Sequence, residues 1–140
     1  MAQETTITVA SQASLAAILD GTVGTSVVFN HYTTEGNRST YINKVNHSPS
    51  SKDQVQLYRT DPKPSGISVG TRKCAIKMTR DVAVETADGA GTHKLPLICE
   101  LKLAIPEGVT EAQLVEIVSK MGSLMGTPAV MTDLMLFGEI

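Results

Sequence analysis

The sequence predicts a single α+β domain, in which helices collect on one side of an antiparallel sheet. Two patterns indicate this fold: the first two thirds alternate between strand-like runs and turns, and the last quarter has apolar residues at helical spacing. The β part is expected at about residues 5–106 and the helical part at about 110–137 of the 140. Aromatic residues make up 4% of the chain and Trp is absent, so an aliphatic core in a thin, two-layer structure is favoured.

Six strands are predicted from β-branched or alternating runs between turn signals. They are Thr5–Ala10, Thr25–Tyr32, Arg38–Val45, Gln54–Thr60, Arg72–Thr86 and His93–Ile105. Ser11–Asp20 fits either a helical turn or a returning strand, and we favour the strand. Thr33–Asn37 is predicted as a turn, which makes the second and third strands a hairpin, and Asp61–Gly66 is a clear break.

The fifth and sixth predicted strands alternate most regularly and should form a hairpin with one apolar and one polar face. The apolar positions are Cys74, Ile76, Met78, Val82, Val84, Leu95, Leu97, Cys99, Leu101, Leu103 and Ile105. Ala87–Gly91 is predicted to be a flexible connection between the two strands. Cys74 and Cys99 are expected to be buried free thiols, which suits a reducing compartment.

Two helices are predicted after the sheet. Thr110 and Gln113 form a capping-box pattern at the start of the first helix. Thr127 is predicted to cap the second helix, with Pro128 at its first position. This second helix is apolar around most of its surface, so we expect an obligate homodimer in which a partner chain covers it. A helix that folds back on its own core is the alternative.

Composition and motifs argue against several classes of protein. The net charge of -2 and the pI near 5.9 do not suit a non-specific nucleic-acid coat, although a local basic face remains compatible with them. The three histidines lack metal-ligand spacing, and no nucleotide-binding or nucleophile motif is present. The sequence therefore predicts no enzyme, cofactor, metal or small-molecule substrate. No signal peptide or membrane span is expected either.

Three segments resemble the coat proteins of single-stranded RNA bacteriophages, the leviviruses and their relatives. They are Arg72–Met78, Leu101–Pro106 and the capped helix containing Leu114–Val118. The resemblance covers about residues 54–137, and the first 50 residues match in element order only. It implies an N-terminal β-hairpin, a five-stranded antiparallel sheet, two C-terminal helices and an interlocked homodimer with a ten-stranded sheet.

The resemblance also implies a function. The protein would build an icosahedral virion shell around the RNA genome and would assemble in the cytoplasm of the host bacterium. Its dimer would bind an RNA stem-loop on the inner sheet face, which represses translation of the replicase and marks the genome for packaging. The loop Ala87–Thr92 would lie at symmetry axes of the shell, where glycines permit different conformations.

Ten positions are candidates for RNA contact on the polar sheet face: Lys73, Lys77, Gln54, Gln56, Tyr58, Thr60, Lys102, Ala75, Ile98 and Glu100. Lysines neutralise phosphates, and Gln and Thr can reach bases or sugars. Tyr58 could stack on an unpaired base or simply pack within the sheet. Ile98 matches a position that is often aromatic in the family, Ala75 matches a small polar one, and Glu100 adds a negative charge. A non-viral dimeric module that binds a ligand or peptide on its sheet is the alternative function.

Overall fold

The computed structural model describes residues 6–11 and 24–139 of the chain. Its six strands are β1 (Thr6–Ser11), β2 (Thr25–Glu35), β3 (Arg38–Ile42), β4 (Asp53–Thr60), β5 (Thr71–Glu85) and β6 (Thr92–Pro106). They form one sheet in sequence order, and each pair from β2 to β6 is antiparallel. The predicted fold class is confirmed. Apart from Ser11, the ambiguous segment Ser11–Asp20 lies outside the described residues.

The chain divides into two compact units. Among the described residues, the first comprises 6–8 and 28–107 and contains β3 to β6, and the second comprises 9–11, 24–27 and 108–139 and contains the helices. The single domain predicted for residues 1–140 stays a prediction. The division arises because strand pairing holds the first unit together, whereas the helices contact each other.

The β2–β3 hairpin has a tighter turn than predicted. Strand β2 continues to Glu35, so only Gly36 and Asn37 form the turn, and Gly36 has a φ of 57°. Two-residue hairpin turns require positive φ, which glycine adopts without steric cost. Glu35 pairs with Arg38 across the turn, and their carboxylate and guanidinium lie 2.7 Å apart. Strand β3 ends at Ile42, three residues before the predicted Val45.

The core of the sheet unit lies on one face of β2, β3 and β4. Phe29, Tyr41 and Val55 are buried, and Tyr41 is only 1% exposed. The ring of His31 meets the Tyr41 ring edge to face, with centroids 5.4 Å apart. At the adjoining strand ends, the buried Asn43 side chain donates a hydrogen bond of 3.1 Å to the Asp53 carboxylate. This bond satisfies polar groups that would otherwise be costly to bury.

Strands β5 and β6 pair along their full length, from Thr71 opposite Pro106 to Glu85 opposite Thr92. The predicted flexible connection is a hydrogen-bonded turn. Its Thr86 N–H donates to the Gly91 carbonyl at 2.9 Å, and Asp88 Oδ1 accepts from the Thr86 hydroxyl at 2.6 Å. The Thr86 hydroxyl, followed by the Ala90 N–H, lowers the pKa of Asp88 because both stabilise the carboxylate.

Much of the apolar face of the β5–β6 hairpin is exposed in the single chain, and the rest of it is only half-buried, whereas a buried apolar face was predicted. Leu97 is 63% exposed, and Ile76 and Met78 are also exposed. The prediction of buried thiols is wrong for the single chain: both cysteines are free, but Cys74 is only half-buried and Cys99 is exposed. One face of a sheet is buried only where a second layer packs on it. The alternation of residues along a strand does not reveal whether that second layer is present.

The first helix, α1 (Glu111–Met125), begins at the predicted capping box. The Gln113 N–H donates to the Thr110 hydroxyl at 3.3 Å, and the Thr110 N–H donates to Gln113 Oε1 at 3.0 Å. Such a cap stabilises a helix by about 1 kcal/mol.

A π-helix (Ala129–Leu136) follows α1. Its wide turns are shown by the Phe137 N–H, which donates to the carbonyl of Thr132, five residues earlier, at 3.2 Å. The predicted cap is wrong: Pro128 precedes this helix without a side-chain cap, and the Thr127 hydroxyl donates to the Leu124 carbonyl at 2.8 Å. Threonine hydroxyls often satisfy a carbonyl of the preceding turn, so Thr127 closes α1.

Neither helix buries a residue in the single chain. The exposed apolar side chains of the two helices are Val115, Ile117, Val118, Met121, Leu124, Leu134, Met135 and Leu136. In α1, most of them form the stripe expected from helical spacing. In the described part of the chain, neither helix has the length and apolarity needed to cross a membrane.

Candidate nucleic-acid interface

The sheet register brings all ten predicted site residues onto one face. Residues directly opposite each other in neighbouring strands point to the same side of a sheet. Across β3 to β6, the rows on this face are Arg38–Tyr58–Ala75–Lys102, Thr40–Gln56–Lys77–Glu100 and Ile42–Gln54–Thr79–Ile98. A further row across β4 to β6 contains Thr60, Lys73 and Ala104. We call this surface the polar face.

A shallow hollow of about 250 Å³ lies on the polar face. Its lining is Tyr58, Arg59, Thr60, Lys73, Cys74, Ala75, Lys102, Leu103 and Ala104, and all but Arg59, Cys74 and Leu103 belong to the polar face. Ala75 and Ala104 occupy neighbouring rows of this lining, and their small side chains leave room above the sheet. Tyr58 and two lysines stand around that space. An aromatic ring and cations beside an open space are suited to an unpaired base and its phosphates.

Tyr58 is held in place by its hydroxyl. The hydroxyl donates a 2.7 Å hydrogen bond to Gln56 Oε1, two residues away on the same face. This bond restricts the ring to a defined position beside Ala75, its partner in β5. A ring that is already ordered loses little conformational entropy when a base stacks on it.

Arg38 belongs to the polar face and was not among the predicted site residues. It lies opposite Tyr58, so a guanidinium borders the side of the ring that faces away from Ala75. A hydrogen bond to the Glu35 carboxylate, and then one with Tyr58, raise the pKa of Arg38 and keep it charged. The sequence could not show that Arg38 lies on the polar face. The face on which Arg38 lies depends on the register of β3 against β4, which the sequence does not reveal.

The charges of the polar face are mixed. Lys73 is exposed and Lys77 is half-buried, and they lie on the same side of β5. Glu100 is opposite Lys77 and 3.8 Å from the Lys102 ammonium. An ion pair this long and this exposed contributes little, so a phosphate can compete for Lys102. Glu100 therefore reduces, without removing, the positive charge that Lys77 and Lys102 present on the polar face.

A second hollow of about 490 Å³ adjoins the first. Thr60 and Lys73 line both hollows, and the second is completed by the β4–β5 loop, which supplies Lys63 and Ser68. From the sequence, this loop was predicted only as a break between two strands. A lysine between two prolines, close to a strand rich in lysine, was the signal that could have identified it.

Five predicted site residues line neither hollow: Lys77, Gln54, Gln56, Ile98 and Glu100. Gln54 and Ile98 flank Thr79, which is only 8% exposed, in the row nearest the β3–β4 loop. Within residues 6–11 and 24–139, no group of three His, Cys, Asp or Glu side chains could hold a metal ion.

Comparison with solved structures shows extensive likeness. The chain matches a subunit of the virus-like particle of Wenzhou levi-like virus 4 with a TM-score of 0.72 and 19% identity, over 96% of this chain and 88% of that one. It matches the virus-like particle of bacteriophage ESE058 with a TM-score of 0.71 and 11% identity, over 99% of both chains. The bacteriophage EMS014 coat protein gives a TM-score of 0.59 at 19% identity, over 89% of this chain and 74% of that one.

The sequence matches no family model and no curated protein. At identities below one fifth, the structural likenesses show a shared fold.

Proposed function

We propose that this chain, whose fold is that of the leviviral coat proteins, is a capsid protein and not an enzyme. It would dimerise, assemble into an icosahedral shell and enclose a single-stranded RNA genome inside the host bacterium. The observation that carries the proposal is the likeness to subunits of virus-like particles along almost the whole chain.

Unsatisfied surfaces of the single chain support an obligate homodimer. Strand β6 lies at the end of the sheet order, so one edge of its fifteen residues has no partner strand among residues 6–11 and 24–139. A long unpaired edge is a template for another strand. Antiparallel pairing of two β6 edges about a two-fold axis would give one continuous sheet. The exposed apolar stripes of the helices would then cover the exposed apolar sheet face of the other copy.

The polar face is the proposed site for an RNA stem-loop. An unpaired base would stack on Tyr58 above Ala75, while Lys73 and Lys102 would contact the phosphates on either side. Gln56 and Thr60 supply polar groups next to the ring for contacts with base edges or sugars. Binding of this kind would mark the genome for packaging and repress translation of the replicase.

Expression of the full chain in bacteria tests the proposed function. We expect uniform icosahedral particles by electron microscopy, together with co-purified RNA that sequencing would identify. A protein that stays dimeric at high concentration, with RNA present, would contradict the capsid function and favour the sheet-based binding module.

Replacement of Tyr58 tests base stacking. Tyr58→Ala is expected to weaken binding of a selected RNA hairpin by about tenfold or more, because stacking contributes about 1–3 kcal/mol per base. Tyr58→Phe keeps the ring and loses the hydroxyl with its hydrogen bonds to Gln56 and Arg38, so its affinity should stay within about threefold of the original. Filter binding at fixed salt measures both. Equal losses in the two variants would show that the hydroxyl, and not the ring, is what matters.

A further inference from the structure

We propose that the tip of the β4–β5 loop is a contact between neighbouring dimers, formed by Ile67 against another copy of this chain. The inference rests on the proposed capsid function and specifies a contact that shell growth needs. A two-fold dimer contact uses the same patch on both copies and therefore closes on itself. A shell requires at least one additional contact between different patches.

The loop presents apolar side chains to solvent. Ile67 is fully exposed and Val69 is 60% exposed, although isoleucine is among the residues most often buried in proteins. The loop leaves from the ends of β4 and β5, so its tip does not occupy the free edge of β6, where we place the dimer contact. These apolar groups are therefore free for a different contact.

Hydrogen bonds hold the backbone of the tip in one conformation. Ser65 and Ser68 form an isolated bridge in which each N–H donates to the other's carbonyl at 3.0 Å. The Gly70 N–H donates to the Ser68 hydroxyl at 3.2 Å. The isoleucine therefore stands between two bonded serines on a closed turn.

Close packing of the loop on itself restrains it further. Gly70 has a φ of 96°, and a Cβ at this position would lie 2.8 Å from the backbone nitrogen of Lys63. The adjacent Pro62 and Pro64 fix two more backbone dihedrals. A restrained loop has already lost much of the entropy that binding would cost, so a small apolar contact can contribute favourably.

The charge of the loop suits another copy of the same chain as the partner. Asp61 and Lys63 balance each other, so the loop is neutral between residues 61 and 70. Identical subunits can approach such a surface without the repulsion that like-charged patches cause. The protruding isoleucine would insert between apolar side chains of the neighbouring dimer.

Ile67→Ser tests the contact. The dimer concentration at which shells form should rise by at least about tenfold, because the substitution removes the apolar side chain that the contact would bury. Light scattering measures assembly, and analytical ultracentrifugation measures the dimer. Ile67→Val keeps a β-branched apolar side chain and should assemble at a concentration within about threefold of the original.

The dimer and the RNA site provide the controls. Ile67→Ser should remain a folded dimer and bind RNA hairpins with unchanged affinity, because Ile67 lines neither hollow. Shells that form at the original concentration from Ile67→Ser dimers would overturn this inference and leave the capsid function intact. An original protein that forms no shells would overturn the capsid function and this contact with it.

Discussion

Ile117→Asp is expected to abolish the dimer. Ile117 is 56% exposed in the chain and belongs to the apolar stripe of α1, with Met121 and Leu124. In a two-fold dimer the substitution occurs twice, and each copy would lose apolar burial and force a carboxylate out of water. Each copy should lose roughly 2 kcal/mol of binding free energy. The loss from the two copies together, about 4 kcal/mol, should raise the dimer Kd by about a thousandfold.

Analytical ultracentrifugation measures the dimer, and circular dichroism reports whether the chain is folded. The matched control is Ser119→Asp, which adds the same charge on the opposite side of α1, at an exposed position. It should dimerise normally. If Ile117→Asp remains a dimer and forms shells, the apolar stripe of α1 is not part of the dimer interface.

Lys73→Ala combined with Lys77→Ala should weaken hairpin binding by roughly a hundredfold, at about tenfold for each lysine in contact with a phosphate. The plot of log affinity against log salt should become shallower by about 1.4, since each phosphate contact on single-stranded RNA contributes about 0.7. Lys73 lines both hollows, and Lys77 lies in the row next to the first hollow. The double variant therefore removes charge from the centre of the polar face.

Lys44→Ala combined with Lys120→Ala is the matched control, because both lysines are exposed and neither lines a hollow. This control removes the same total charge and should keep the salt dependence close to that of the original protein. The same loss of affinity in both double variants would indicate a general charge effect, and no loss in either would remove Lys73 and Lys77 from the site.

Short sequence patterns correctly predicted the features of the fold that depend on residues close together in the sequence. The alternation in β5 and β6 predicted both strands and their faces, and the capping box predicted the first residue of α1. The shared face of Lys73, Lys77 and Lys102 followed from the same alternation. These features depend on neighbouring residues in the sequence, so one chain is enough to identify them.

Features that depend on register or on a second layer could not be predicted in this way. Arg38 reaches the polar face only through its pairing with Tyr58, and Lys63 reaches Lys73 only through the path of a loop. The burial of Cys99 was mispredicted because an apolar strand face does not reveal whether its cover comes from the same chain. These three features concern packing between elements, whereas the wrong cap at Thr127 and the early end of β3 are errors about the elements themselves.

The strict sequence order of the strands has a consequence for synthesis of the protein. Each strand pairs with the strand made just before it, so the sheet can grow hairpin by hairpin as the chain leaves the ribosome, with little loop-closure entropy to overcome. The long unpaired edge of β6 is completed last, and the helices follow immediately. Nascent chains would thus carry an aggregation-prone edge only briefly before the segments that we expect to recruit a partner emerge.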